Sequence, residues 1–441
     1  MSGWPAIMVL GASGLIGEAL AGGLMGEGFK VTAVARGFTP SQRDLFGAER
    51  IERSFVGLSP AALAQMLSER EVQILINCVG VLQDGPGGET DTVHRAFTED
   101  LLSALSLLNR PVLFIQISIP GASPSDQTAF ARTKRAAEQA ISRAGTPFVI
   151  LRPGLVIAPC AFGGSALIRA LSVLPFALPA REAAASIAIT AVEDILRTAV
   201  FVARKWADGE RQWRVTWDVM ARQPVLMAEL IAAFRRRLGG PSPQLTLPPF
   251  LLSAGARAGD LAAWAGWRPP IRSTALIEMR RGVMGDPQPW ITATGIAPRS
   301  LEAAVLGLPA SVQEKWFARL YLLKALIIAS LAVFFAASGL IALTVSFDAA
   351  AAILVLHGWP ASLANAVTVI TSVADICVGI AIALRRSCRL GLIAGIALSS
   401  LYLASAILVA PELWLEPLGA LVKTLPAIVL MLVALAVLDE R

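Results

Sequence analysis

Val9-Leu10-Gly11-Ala12-Ser13-Gly14-Leu15-Ile16-Gly17 is the stretch that decides the fold of the N-terminal part of this chain. It closes the apolar run Ala6 to Leu10 and opens onto Glu18 to Met25, so it reads as a strand, a glycine turn and a helix. That order aims the free N–H groups and positive end of a helix at whatever lies beyond the strand, which suits a pyrophosphate. Gly11 allows the tight turn, Gly14 a close backbone approach to phosphate, and Gly17 close packing of helix on strand. The expected ligand is a dinucleotide, held by Gly11, Ser13, Gly14, Leu15, Ile16 and Gly17.

Outward from this motif, strands and helices alternate. Lys30 to Ala35, Ile51 to Val56, Val72 to Cys78, Val112 to Ile117 and Phe148 to Leu151 read as further strands. Pro60 to Arg70, Asp91 to Leu107 and Phe130 to Ala144 read as helices. The pattern predicts an α/β fold with a doubly wound parallel sheet of the Rossmann type. An acid at the end of the second strand bonds a ribose 2′-hydroxyl, whereas a base accepts a 2′-phosphate; here the residue is Arg36, which favours NADP(H) over NAD(H).

The remainder of the chain obeys a different solvent. Only 16% of the 441 residues are charged, and the positive mean hydropathy is too high for a purely soluble protein. Ala325 to Val345, Ala361 to Leu384, Leu390 to Ala410 and Leu418 to Leu438 are each near the length that spans a bilayer, predicting four transmembrane helices. Ala349 to Leu356 is too short to span and is expected to be an interfacial or re-entrant piece. Lys315, Arg319 and Lys324 precede the first span and Arg385, Arg386 and Arg389 separate the second from the third, while the intervening loops carry no Lys or Arg. Both chain ends are thus expected in the cytoplasm, with Trp316, Trp359 and Trp414 as interfacial anchors. The first apolar run is too short for a signal-peptide core, so the N-terminal domain is expected to stay there too.

Other function classes are disfavoured by composition. The four cysteines show no Cys-x-x-Cys spacing, so neither a disulfide framework nor a metal site is expected. The net charge of +6 comes with no basic-aromatic patch, so the expected partner is the lipid bilayer and not nucleic acid. Asp375 and Lys423 fall inside the spans and are functional candidates by position; Thr368, Ser372 and Ser399 are candidate partners for Asp375.

Gly11 to Gly17, Asn77-Cys-Val-Gly80, Ser118, Phe130-Ala-Arg-Thr-Lys134 and Leu151-Arg-Pro-Gly154 together resemble the short-chain dehydrogenase/reductase superfamily, in its extended or atypical branch, over roughly residues 5 to 240. The resemblance implies that Asn77 and Gly80 line the cofactor, that Ser118 orients a substrate carbonyl, and that Lys134 holds the nicotinamide ribose. It also implies a proton-donating tyrosine four residues before that lysine. Phe130 stands there instead, and the chain has only Tyr321 and Tyr402, both in or beside the apolar tail. His94 and Asp84 are the substitute donors considered.

The tail is similar to the DoxX-like four-helix membrane family through Trp316 to Lys324, Ser338-Gly-Leu340, Asp375 to Gly379 and Pro417 to Lys423. That resemblance suggests a quinone or lipid-like substrate. The expected organisation is a Rossmann domain over 1–240 with a substrate lobe from about 152, a connector over 241–315, and a membrane domain over 316–441. The expected protein is a multi-pass NADP(H)-binding oxidoreductase of a bacterial inner membrane, linked to membrane redox or lipid metabolism. The alternative is a catalytically silent NADP(H)-binding sensor or assembly module.

Overall fold

The computed structural model describes residues 4–82, 89–121, 126–415 and 419–438. Its N-terminal part is a series of β1 (Ile7–Leu10), α1 (Leu15–Gly26), β2 (Val31–Ala35), α2 (Pro40–Phe46), β3 (Arg50–Glu52), α3 (Pro60–Glu69) and β4 (Ile74–Asn77). It continues through α4 (Phe97–Ser106), β5 (Leu113–Ile117), α5 (Ala129–Arg143), β6 (Phe148–Pro153), α6 (Val192–Ala207), β7 (Arg214–Val219) and α7 (Met227–Leu238). The seven strands form one sheet in the order β7-β6-β5-β4-β1-β2-β3, and every pairing in it is parallel. The order reverses between β1 and β4, which is where a crevice opens at the carboxyl ends of the strands.

The buried run Ile7–Leu10 is apolar on both faces because helices cover both sides of the sheet. Ile7, Val9, Val31 and Ile76 pack with Leu20 and Leu24 of α1 and with Ile195, Ala199 and Trp206 of α6. Met8, Leu10, Val34 and Leu75 pack on the other side with Leu63 of α3, Leu101 of α4 and Ile141 of α5. The expected helix over Asp91 to Leu107 contains a π-helical turn at Thr92–Ala96, which carries His94. The edge strand β7 was not among the expected strands, although its Arg214, Thr216 and Asp218 alternate with Val215, Trp217 and Val219.

A lobe with a core of its own follows β6. Ile157, Ile168, Ile189, Leu230 and Phe234 form that core. Gly154 is required at its entrance, since a Cβ there would lie 2.1 Å from the Ala188 carbonyl oxygen. The chain divides into two compact units, Met1–Asp260 with Pro269–Ala318, and Leu261–Arg268 with Arg319–Arg441. The expected connector over 241–315 is therefore not a separate piece. Most of it folds into the first unit, because Trp290 is fully buried there and its indole donates a 3.0 Å hydrogen bond to Thr198 Oγ1.

In the second unit α8 (Val312–Leu343), α9 (Phe347–Leu356), α10 (Ala361–Ala383), α11 (Cys388–Val409) and α12 (Ala420–Ala436) follow one another. Among the described residues, three helices, α8, α10 and α11, are long and apolar enough to cross a membrane. The expected fourth span is shorter, at 17 residues with Pro426 inside it. Glycines let the helices approach closely: a Cβ on Gly339 would lie 2.3 Å from Ser372 O, and one on Gly379 2.8 Å from Ala332 O.

Candidate nucleotide site

The turn after β1 is built from backbone geometry. Gly11 has φ +77°, and a Cβ there would press on the Cys78 carbonyl and Val79 nitrogen at 3.1 Å, so only glycine fits against the end of β4. A Cβ on Gly17 would lie 2.2 Å from Gly11 O, which fixes α1 tightly on the turn. Gly14 is the N-cap of α1 and supplies no side-chain hydrogen bond. The first N–H groups of that helix, at Leu15, Ile16 and Gly17, thus keep the polarity that draws an anion. Ser13 lies in the same turn, and its carbonyl accepts a 3.3 Å bond from Gln42 Nε2.

Arg36 is exposed at the end of β2. Among the described residues its guanidinium has no hydrogen bond or ion pair, whereas the nearby Glu52 is taken by Arg43 at 2.7 Å.

Asn77, expected to line the cofactor, is 1% exposed and turned inward. Its Nδ2 donates to Gln116 Oε1 at 2.9 Å and its Oδ1 accepts from Val79 N at 3.1 Å. It therefore shapes the turn after β4 and ties β4 to β5, and its side chain is not offered to a ligand. Gly80 does sit at the crevice, exposed, and a Cβ on it would lie 3.2 Å from Lys134 Nζ and 3.5 Å from His94 Nε2.

Lys134 projects from α5 to this point, 6% exposed, and donates to Ile117 O at 3.1 Å. Burial pushes its ammonium down to about 8, although the Cys78 thiol and the Glu138 carboxylate oppose the shift. Phe130 lies one helical turn earlier on α5. Its ring meets the His94 imidazole edge-on, with centroids 5.6 Å apart, and it brings no hydroxyl.

His94 does not take up the proton-donor role considered for it. Nε2 accepts the Val81 N–H at 3.1 Å, so Nδ1 carries the proton and donates it to Thr133 Oγ1 at 2.8 Å. Burial, helped by the Lys134 charge, pushes the imidazole down to about 3, so it is neutral at physiological pH. Asp84, the other donor considered, lies outside the described residues.

Ser118 is buried just past β5. It lies beside Glu138, which burial alone would push up. Bonds from Arg152 and the Ser118 hydroxyl instead hold that carboxyl below its usual range.

Around Ser118 runs a charged network that the sequence reading missed. Glu138 receives Arg152 at 2.6 Å and Arg135 at 3.0 Å, and Asp126 receives Arg135 at 3.0 Å and Arg281 at 2.8 Å. Arg135 also donates to the carbonyls of Ile119, Pro120 and Gly121. The loop that starts at Ser118 is thereby held by cations. Arg135 and Glu138 were legible as an i, i+3 pair on α5; Arg281 arrives from far along the chain and left no local signal.

Among the described residues no group of three or more His, Cys, Asp or Glu side chains could hold a metal ion. In the second unit Asp375 is 6% exposed and accepts from Tyr402 Oη at 3.1 Å, while Lys423 is exposed. The expected hydroxyls of Thr368 and Ser372 bond back to their own helix instead.

Residues 7–173 match the NAD dependent epimerase/dehydratase family and residues 332–432 the DoxX-like family. The chain thus carries an epimerase/dehydratase-type Rossmann domain fused to a DoxX-like domain. No curated protein matches it. Similar solved structures include a UDP-glucuronic acid 4-epimerase from Bacillus cereus in complex with UDP-glucuronic acid and NAD, 15% identical, with 71% of this chain and 99% of that one covered at a TM-score of 0.51. A tyrosine-to-phenylalanine mutant of that epimerase, in complex with a fluorinated UDP-sugar analogue and NAD, is 16% identical over 72% and 99% at 0.50. The enzyme WbmH from Bordetella bronchiseptica, in complex with NAD+, is 15% identical over 72% and 98% at 0.51. At these identities the likeness is one of fold.

Proposed function

We propose that this protein is a membrane-anchored, NADP(H)-binding oxidoreductase of atypical type, acting in membrane redox or lipid metabolism. One observation carries the nucleotide site. The segment Cys78–Gly80 touches the glycine turn through Gly11 and Lys134 through Gly80, so the turn that would take a pyrophosphate and the ammonium that would take a ribose border the same three residues. Names of the similar structures mention NAD; the unpaired Arg36 favours a 2′-phosphate, and so the phosphorylated cofactor.

The dinucleotide, when bound, supplies hydride exchange. This chain's residues would hold its phosphates on the α1 N-terminus and its ribose on Lys134 Nζ. Phe130 gives no proton and His94 is locked to Thr133, so carbonyl reduction by a tyrosine route is closed. Lys134 Nζ is then the group whose proton is available near neutral pH. The quinone or lipid-like substrate follows from the DoxX-like tail. The basic flanks of the spans support cytoplasmic chain ends in a bacterial inner membrane. A second reading, a silent NADP(H) sensor, is favoured by Phe130.

Purified full-length protein should be titrated with NADPH and NADH, and NADPH oxidation followed with membrane quinones and lipid extracts. Binding with oxidation supports the first reading, binding alone the second, and no binding of either nucleotide removes both.

A further inference from the structure

The helix Pro249–Trp264 is apolar on the face that should meet water. Leu252, Ala256 and Ala263 are buried, and the inner face is so close-packed that a Cβ on Gly259 would lie 1.9 Å from Ile271 O. The opposite face presents Phe250, Ala254, Arg257, Ala258, Leu261 and Trp264, all exposed. Leu261 is 71% and Trp264 84% exposed. A helix on the surface of a soluble domain puts polar residues there.

The end of this helix has an address. Trp267 donates its indole N–H to Ala383 O at 2.7 Å, and Ala383 is the last residue of the span α10. Arg385 N donates to Ala265 O at 2.9 Å, and the Arg385 guanidinium stacks 5.3 Å from the Trp267 ring. A span ends at the membrane–water boundary, so Ala265–Trp267, and Trp264 directly before them, lie at that level. Arg257 and Arg268 are exposed and have no ion pair among the described residues, leaving two cations for anionic headgroups.

We propose that the exposed face of helix Pro249–Trp264 is an interfacial membrane-binding surface. Its apolar side chains enter the headgroup layer of the leaflet at the Ala383 end of α10, and Arg257 and Arg268 engage anionic lipid there. This rests on the reading of α10 as a membrane span and is independent of the cofactor.

The test uses the full chain, with its four cysteines replaced by alanine, in nanodiscs of phosphatidylcholine and phosphatidylglycerol. Nitroxide labels are placed one at a time at Leu261→Cys and Ala258→Cys, with Ile370→Cys as the lipid-facing control and Leu107→Cys as the aqueous control; both control positions are exposed. Accessibility to oxygen relative to a water-soluble nickel chelate is then measured. The expected ratio at Leu261 and Ala258 is several-fold above that at Leu107. It should fall toward the aqueous value when Arg257→Gln and Arg268→Gln are combined. A ratio equal to that at Leu107 overturns the proposal. So does protection from both reagents, which would mean a protein partner or second copy covers the face. An unchanged ratio in the arginine variant overturns the role of anionic lipid. An aqueous ratio at Ile370 overturns the span itself, and this proposal with it.

Discussion

His94 Nδ1 stands 2.8 Å from Thr133 Oγ1, and that hydroxyl passes its own proton to Ala129 O at 2.8 Å. The imidazole is therefore a neutral brace between the turn after β4 and α5. Its folded pKa of about 3 lies below the ordinary 6.5. Between those values the unfolded chain binds a proton that the folded chain does not, so stability is intact above 6.5 and falls as pH drops. The slope approaches about 1.4 kcal/mol per pH unit. Thermal melting from pH 7 downward should show this decline, flattened in His94→Gln; an identical decline in the variant would refute the brace.

Lys134 carries the opposite kind of pH signal. Its ammonium, pushed down to about 8 by burial, loses its proton as pH rises through that value, and with it a charged donor to the ribose. Dinucleotide affinity should weaken across that range in the wild type. It should be weaker and flat with pH in Lys134→Met, as measured by calorimetric titration.

Among the described residues Arg36 has no protein partner to lose, so its replacement reports on ligand binding. Arg36→Asp should weaken NADPH binding by about 1 to 3 kcal/mol, the range for a charge-assisted bond, and change NADH binding far less. Equal losses for both nucleotides would remove the preference for the 2′-phosphate.

Phe130 stands one turn from Lys134 on the same face of α5. Phe130→Tyr restores a phenol beside that ammonium, and general acid catalysis contributes about 10²- to 10⁴-fold. NADPH oxidation with a panel of aldehydes, ketones and quinones should appear or rise. Wild-type turnover that the substitution abolishes would place the proton elsewhere.

The short helix α12 bears on the expected topology. Lys324 Nζ, just before the apolar stretch of α8, donates to Leu438 O at 2.9 Å, so the end of α12 lies beside the basic flank of the first span. A reporter after Leu356 should be outside and one at Arg441 in the cytoplasm. Finding the two on one side would remove the four-crossing path.

What the sequence determined by itself was whatever is written in local pattern. Glycines at 11, 14 and 17 announce the turn because a side chain there meets backbone; the Gly17 Cβ would come within 2.2 Å of Gly11 O. Apolar runs announce parallel strands and spans because both are buried or solvated on all sides. Tertiary structure alone decided which polar side chains are free. Asn77 and His94 sit in the expected places, yet their hydrogen bonds go to Gln116, Val79, Val81 and Thr133. Ser118, by contrast, has its hydroxyl beside the Glu138 carboxylate. Arg281 reaches Asp126, and Trp290 leaves the expected connector for the core beside Thr198, through contacts between residues far apart in the chain. Such contacts have no period and no spacing, and they exist only once the chain has packed.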